Sequence, residues 1–193
     1  MPNIPSTVTS TADGFQPAFA RVAQNGDFDC AFACIASITG KPLAEVRELA
    51  VNRFKHPAHG PYWITEDLIA GLLAHYGWVA TVYKEVSKLA DVPDLAILMV
   101  DYDPDKEIGR HVLFHRASAS HSPKTTIAYM VDPAYWIETS AHVRTDLKPL
   151  GAAWYIGVHP MATKAPPASR AGGDQLRHRD IECDGDAFDV GDR

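Results

Sequence analysis

The sequence predicts an α+β fold in which N-terminal helices pack on an antiparallel sheet. Apolar residues recur at three-to-four spacing in the first half of the chain, whereas β-branched and aromatic runs dominate the second half. Helical segments followed by extended ones are typical of this class. With 193 residues, 46% of them hydrophobic, the chain is long enough for one buried core.

Three helices are expected in the first half. The first covers residues 30–39, where Asp29 is suited to cap the start and Gly40 to take the left-handed conformation at the end. The second begins near Pro42, which a first helical turn tolerates. The third opens at Thr65, and acidic residues that favour its N-terminal dipole follow at once.

Five strands are expected after the helices, because β-branched and aromatic residues cluster there between turn signals. Their ranges are 78–83, 95–101, 111–117, 126–132 and 154–158.

The chain is expected to form one domain between two tails. Residues 1–19 are rich in turn formers, and residues 161–193 combine Pro, Gly and many acidic residues with few large apolar ones. Such composition does not bury enough surface to fold. The predicted domain is therefore residues 20–160.

Several classes of function are disfavoured by composition. The net charge is −6 and no basic cluster is present, which argues against nucleic-acid binding. No apolar run reaches the roughly twenty residues of a membrane span, and no export signal is evident. We therefore expect a cytoplasmic protein without a membrane partner.

Cys30 is the candidate nucleophile. The three cysteines are an odd number, and two of them lie four residues apart, which disfavours a disulfide framework. No C-x-x-C pair and no Cys and His at ligand spacing indicate a zinc site, so we expect free thiols and no metal or cofactor. At the start of a helix, unpaired N–H groups stabilise the thiolate of Cys30. Cys34 lies one turn further along and is expected in the core.

His111 and Asp132 are the candidate base and its orienting carboxylate. If residues 118–125 form the loop of a hairpin, opposed residues have position numbers that add to 243, as 111 and 132 do. A carboxylate opposite an imidazole orients it and selects its tautomer. By the same register, the competing His115 faces Ala128, which has no such effect.

Gln24 is the candidate oxyanion donor. It lies six residues before Cys30, and the turn formers Asn25 and Gly26 let the chain fold back. Its amide and the backbone N–H of Cys30 are suited to stabilise an oxyanion.

These motifs together resemble the papain-like bacterial peptidases that remove double-glycine leaders from bacteriocin precursors. In that family a Gln precedes an Asp-Cys pair by the same spacing, as Gln24 does here. A His begins a strand, as in Gly109 to Leu113, and the acidic residue stands in an Asp-Pro-Ala segment, here residues 132–134. The resemblance covers residues 20–160 and implies a papain-like cysteine peptidase fold in a stand-alone form.

The expected function is hydrolysis of a peptide or isopeptide bond through a Cys-His-Asp triad, with a peptide or protein as substrate. Two alternatives stay open, because one fold hosts many reactions. The same site is suited to acyl transfer or side-chain deamidation, as in a toxin or effector, or the chain is an inactive peptide-binding module. Four aromatic residues are candidates for the wall of a substrate groove, although large aromatic residues also belong in cores, namely Tyr62, Trp63, Tyr135 and Trp136.

Overall fold

The computed structural model describes residues 16–59, 63–119, 122–147 and 151–162. Most of both predicted tails, together with Cys183 and Tyr62, lies outside these ranges, and the domain boundaries stay a prediction.

Three helices form where the sequence places them. They are α1 (Cys30–Thr39), α2 (Leu43–Phe54) and α3 (Glu66–His75). Gly40 ends α1 with a φ of 68°, a left-handed conformation that glycine adopts without steric cost. Thr65 caps α3 by accepting a hydrogen bond from the Leu68 backbone N–H at 3.3 Å.

The expected capping by Asp29 is wrong. Asp29 has helical dihedral angles, with φ −93° and ψ −1°, instead of the extended ones from which a side chain reaches the first turn. Its carboxylate accepts a hydrogen bond from Arg47 of α2 at 3.1 Å. Asp29 thus links the start of α1 to the neighbouring helix.

Seven strands lie within the described part of the chain. They are β1 (Trp78–Ala80), β2 (Lys84–Glu85), β3 (Leu95–Asp103), β4 (Ile108–Ala119), β5 (Ser122–Val131), β6 (Val143–Arg144) and β7 (Ala152–Pro160). All pair antiparallel in the order β1-β7-β3-β4-β5-β6, and β2 also pairs with β7. The predicted α+β fold class is confirmed, although β2 and β6 were not expected.

The helices cover one face of the sheet. Helix α1 has no charged residue, is buried along nearly its whole length and packs on β4. A helix that is apolar on all sides belongs in a core. Its apolar partners on the sheet include Leu113, Tyr129 and Ile156. This burial holds the first residue of α1, Cys30, in a fixed position against β4.

A second apolar cluster lies on the opposite face of the sheet. It contains Leu98 of β3, Phe114 of β4 and Met130 of β5, packed against Val92. The two clusters show that the central strands are buried on both faces. Among the described residues, no helix is both long and apolar enough to cross a bilayer.

Candidate active site

Cys30 is the first residue of α1 and is only 6% exposed. The first helical hydrogen bond runs from Ala33 N–H to the Asp29 carbonyl at 2.9 Å, so the N–H groups of Cys30 and Ala31 point out of the helix start. Burial raises the pKa of the Cys30 thiol, and hydrogen bonds from the backbone and the charge of Arg110 offset only part of this effect. The thiol is therefore protonated in the resting protein.

His111 contacts Cys30. It lies on β4 opposite Met99 of β3, and its Nδ1 is 3.3 Å from the Cys30 Sγ. Burial lowers the pKa of His111 to about 4. The pair at neutral pH is thus a thiol beside a neutral imidazole, which is an acceptor for the thiol proton.

The other ring nitrogen of His111 contacts a residue that the sequence analysis missed. Nε2 lies 2.7 Å from the hydroxyl of Tyr83, in the segment between β1 and β2. The Tyr83 backbone N–H donates to the Glu66 carboxylate at 2.6 Å, which ties this segment to the start of α3. A tyrosine at the end of an expected strand carries no local signal for this contact.

The predicted pairing of His111 with Asp132 is wrong. In the hairpin of β4 and β5, Leu113 lies opposite Val131, so opposed position numbers add to 244. Beyond Ser118 the register shifts, so the two strands contribute unequal numbers of residues between their last regular pair and the turn. A shift of one residue moves a side chain to the other face of the sheet.

The carboxylate of Asp132 instead forms hydrogen bonds within its own segment and with Arg110. It is fully buried, accepts from the Ala134 backbone N–H at 3.0 Å and accepts from an Arg110 guanidinium nitrogen at 2.6 Å. Arg110 also pairs with Asp101, whose positive φ of 52° lies at an irregularity of β3. Asp132 therefore holds Arg110, whose positive charge lowers the pKa of the Cys30 thiol.

Arg21 fixes the backbone around Asp132. Its guanidinium donates to the carbonyls of Asp132, Pro133 and Ala134 at 2.7, 3.2 and 2.7 Å. The Asp132 N–H donates to the His142 carbonyl at 2.8 Å. The Asp-Pro-Ala segment is thus anchored on both sides.

Gln24 is buried beside this segment, at 2% exposure. Its backbone N–H donates to the Pro133 carbonyl at 2.9 Å, and its side-chain nitrogen donates to the Gly26 carbonyl at 2.9 Å. The side-chain oxygen has no hydrogen-bond partner among the described residues. A turn forms further along than expected from Asn25 and Gly26, at residues 26–29, since the Asp29 N–H bonds to the Gly26 carbonyl at 3.1 Å.

Two solved peptidase domains are similar to the chain in structure. One is the peptidase domain of Streptococcus ComA, a bifunctional ABC transporter involved in quorum sensing. It has 16% sequence identity and a TM-score of 0.48, over 73% of this chain and 98% of that one. The other is a double-glycine motif protease of an AMS/PCAT transporter in complex with the leader peptide, with 17% identity and a TM-score of 0.47 over 74% and 92%. No family model and no curated protein matches the sequence.

His115 and Cys34 lie apart from this chemistry. His115 faces Tyr129, instead of the expected Ala128, and its Nδ1 is 2.9 Å from the Tyr129 hydroxyl. Cys34 is 1% exposed within the core. Burial raises the pKa of its thiol well above the ordinary value. Both residues are matched controls for His111 and Cys30.

Exposed aromatic residues stand next to the loop that leads into Cys30. Phe28 packs edge-on against Trp63, with ring centroids 4.8 Å apart, and the Tyr135 hydroxyl donates to Asp27 at 2.9 Å. Tyr135 packs against Trp136 in the same way, also at 4.8 Å. Trp63, Tyr135 and Trp136 are each more than half exposed. We call Phe28, Trp63, Tyr135 and Trp136 the aromatic rim.

Proposed function

We propose that this chain is a cysteine hydrolase that cleaves a peptide or isopeptide bond, with Cys30 as nucleophile and His111 as general base. The observation that carries the proposal is the 3.3 Å contact between the Cys30 Sγ and the His111 Nδ1. A nucleophile within hydrogen-bond reach of a base is the arrangement that covalent catalysis needs. The thiol and imidazole stand on two packed elements, α1 and β4, which keep this distance.

Acylation begins with a neutral pair. The Cys30 sulfur attacks the substrate carbonyl carbon, its proton passes to the His111 Nδ1, and the carbonyl π electrons move to oxygen. As the tetrahedral species collapses, the carbon–nitrogen bond breaks. The leaving amine takes the proton from His111, and the acyl group remains on Cys30 as a thioester.

Deacylation uses the same base. His111, neutral again, takes a proton from water as the water oxygen attacks the thioester carbon. The carbon–sulfur bond then breaks, and the proton on His111 returns to the sulfur. The products are a carboxylic acid and the free thiol.

Charge and hydrogen-bond donors around the thiol support the developing negative charge. Arg110, held by Asp132, lowers the pKa of Cys30 against the effect of burial. The N–H groups at the start of α1 and the amide of Gln24 are the proposed donors to the oxyanion. In this proposal Asp132 acts on the site through Arg110.

The aromatic rim is the proposed contact for the substrate chain. Aromatic rings with more than half of their surface exposed gain free energy when a ligand covers them. Since Phe28 lies two residues before Cys30, a peptide seated on the rim has its backbone near the thiol. The substrate class is accordingly an extended segment of protein with apolar side chains next to the bond that is cut.

An acyl-transfer assay tests the pair without knowledge of the natural substrate. Wild type is treated with p-nitrophenyl acetate, and release of p-nitrophenol is followed while peptide mass spectrometry locates the acetyl group. We expect an acetyl thioester on Cys30 that turns over. His111→Ala should lower the rate by at least about a hundredfold, the usual size of a general-base contribution.

Matched variants define the controls. Cys30→Ala should abolish the thioester, whereas Cys34→Ala and His115→Gln should retain turnover. An unmodified Cys30 in wild type, or equal rates in wild type and His111→Ala, would disprove the proposal. With a peptide library, new N-termini identify hydrolysis, whereas a conversion of Gln to Glu without chain cleavage would show a deamidase instead.

A further inference from the structure

We infer that Tyr83 positions the base His111, in the place where the sequence suggests a carboxylate. The Tyr83 hydroxyl is 2.7 Å from the His111 Nε2, the ring nitrogen that faces away from Cys30. This inference rests on the proposed function, because a positioning residue has a role only if His111 is a base. It assigns Tyr83 to the machinery of the reaction.

The two contacts of the imidazole define its tautomer. A neutral imidazole has one N–H and one acceptor nitrogen. We assign the Cys30 thiol as the donor to the His111 Nδ1, 3.3 Å away, because the role of general base requires this direction. Nε2 then carries the hydrogen and donates it to the Tyr83 oxygen. Only this tautomer leaves a lone pair on Nδ1 to take the thiol proton.

Asp132 is not free for this task. Its two carboxylate oxygens accept from Ala134 N–H and from Arg110. The pKa of His111 supports the same conclusion, because burial alone accounts for its fall to about 4, with no opposing effect of a nearby carboxylate. The orienting group at His111 is therefore uncharged.

Tyr83 is itself held in place. Its backbone N–H bonds to the Glu66 carboxylate at 2.6 Å, at the start of α3, and its side chain packs against the core. Burial raises the pKa of Tyr83, and the neighbouring Cys30 and Glu66 act in the same direction. The hydroxyl thus stays protonated and neutral over the working pH range, and its oxygen is able to accept from Nε2–H.

The test reads the tautomer directly. In protein labelled with ¹⁵N-histidine, long-range ¹H–¹⁵N spectra at pH 7.5 distinguish a protonated from an unprotonated ring nitrogen, and His111→Ala assigns the signal. We expect His111 in wild type to carry its hydrogen on Nε2. Tyr83→Phe should mix the two tautomers and slow turnover of p-nitrophenyl acetate about tenfold, the effect of one lost hydrogen bond.

Two variants separate this role from general stability. Asp132→Asn should leave the His111 tautomer as in wild type. Tyr129→Phe removes a second hydroxyl that contacts a histidine, and it should change the signals of His115 while those of His111 stay unchanged.

The outcomes separate this inference from the proposed function. A hydrogen on Nδ1 in wild type, or an unchanged tautomer and rate in Tyr83→Phe while His111→Ala is inactive, would overturn the role of Tyr83 alone. Equal turnover in wild type and His111→Ala would instead remove the proposed function, whichever tautomer is found.

Discussion

Asp132 and Arg110 form an ion pair at 2.6 Å in which the carboxylate is fully buried and the guanidinium is 23% exposed. A buried carboxylate needs a partner, because the loss of hydration is not otherwise offset. Arg110 is the residue before His111, so this pair connects the Asp-Pro-Ala segment to the strand that carries the base. The first prediction follows from this geometry.

Replacing Arg110 should destabilise the protein more than replacing both members of the pair. Arg110→Leu leaves the Asp132 carboxylate buried without its cation, which we expect to cost about 3 kcal/mol of unfolding free energy, at the low end for broken buried pairs because Arg110 is partly exposed. In Arg110→Leu with Asp132→Asn, no charge is stranded and part of the loss should return. Urea unfolding measures the unfolding free energies of wild type, Arg110→Leu and the double variant.

An exposed pair provides the control for that measurement. Arg116 bonds to Asp94 at 3.0 Å, but the Asp94 side chain is 75% exposed. Asp94→Asn should therefore cost less than about 1 kcal/mol. If Arg110→Leu were no more harmful than Asp94→Asn, the structural role of the Asp132–Arg110 pair would be wrong.

His111 should make the protein less stable in mild acid. Its pKa is lowered from 6.5 to about 4 by burial, so between these values the unfolded chain binds a proton that the folded protein excludes. Stability therefore falls as the pH falls through this window, by about 3 kcal/mol at pH 4. Urea unfolding from pH 7.5 to pH 4 should show a smaller decline in His111→Gln than in wild type.

The difference between the two proteins isolates His111. Burial also lowers the pKa of His56, His115 and His142, which contribute to the acid sensitivity of both proteins equally. Parallel curves for wild type and His111→Gln would contradict a buried neutral imidazole at this position.

The helices follow from local signals, but the geometry of the site does not. Apolar spacing and the final Gly40 define α1 within the chain itself, and Cys30 is its first residue. The register of β4 and β5 depends on an irregularity next to the turn, and a shift of one residue is enough to separate Asp132 from His111. Neither the strand propensity of the residues nor the alternation of apolar and polar residues predicts that shift.

The contact between Tyr83 and His111 is set by tertiary packing. It joins residues 28 positions apart, because the segment after β1 is tied to the start of α3 through Glu66. Carboxylates are the usual partners of a catalytic histidine. A hydroxyl makes the same hydrogen bond without charge, which sequence spacing does not reveal.

Gly109 should be required for the approach of β4 to β3. A Cβ at this position would lie 2.7 Å from the Met99 side chain and 2.9 Å from the Val100 carbonyl oxygen. The side chain is free to move, but the carbonyl belongs to the sheet, so Gly109→Ala should push the strands apart two residues before His111. We expect a loss of about 1–3 kcal/mol, as for overpacked cores, with reduced turnover.

Gly151→Ala is the matched control, because a Cβ there has no neighbour within 4 Å. Its unfolding free energy should stay within about 0.5 kcal/mol of wild type. Equal stability of the Gly109→Ala and Gly151→Ala proteins would show that the close approach of β4 to β3 is not needed.

Gln24 should matter more for the reaction than for folding. Within the described residues its side chain makes one hydrogen bond, to the Gly26 carbonyl. Gln24→Ala should therefore cost about 1 kcal/mol for that bond, plus the packing lost with its side chain. If its amide donates to the oxyanion, the rate of Cys30 acetylation should fall about a hundredfold or more.

Asn25→Ala is the adjacent control, because Asn25 is exposed and directly follows Gln24. Rates of acetylation from single-turnover mass spectrometry and unfolding free energies should be compared for both variants. If the rate falls only in proportion to the loss of folded protein, the role of Gln24 is structural. Loss of an oxyanion donor would instead lower the rate of the fully folded enzyme. A large rate loss with most of the protein folded requires the amide to act on the transition state, at the start of α1 where Cys30 is held.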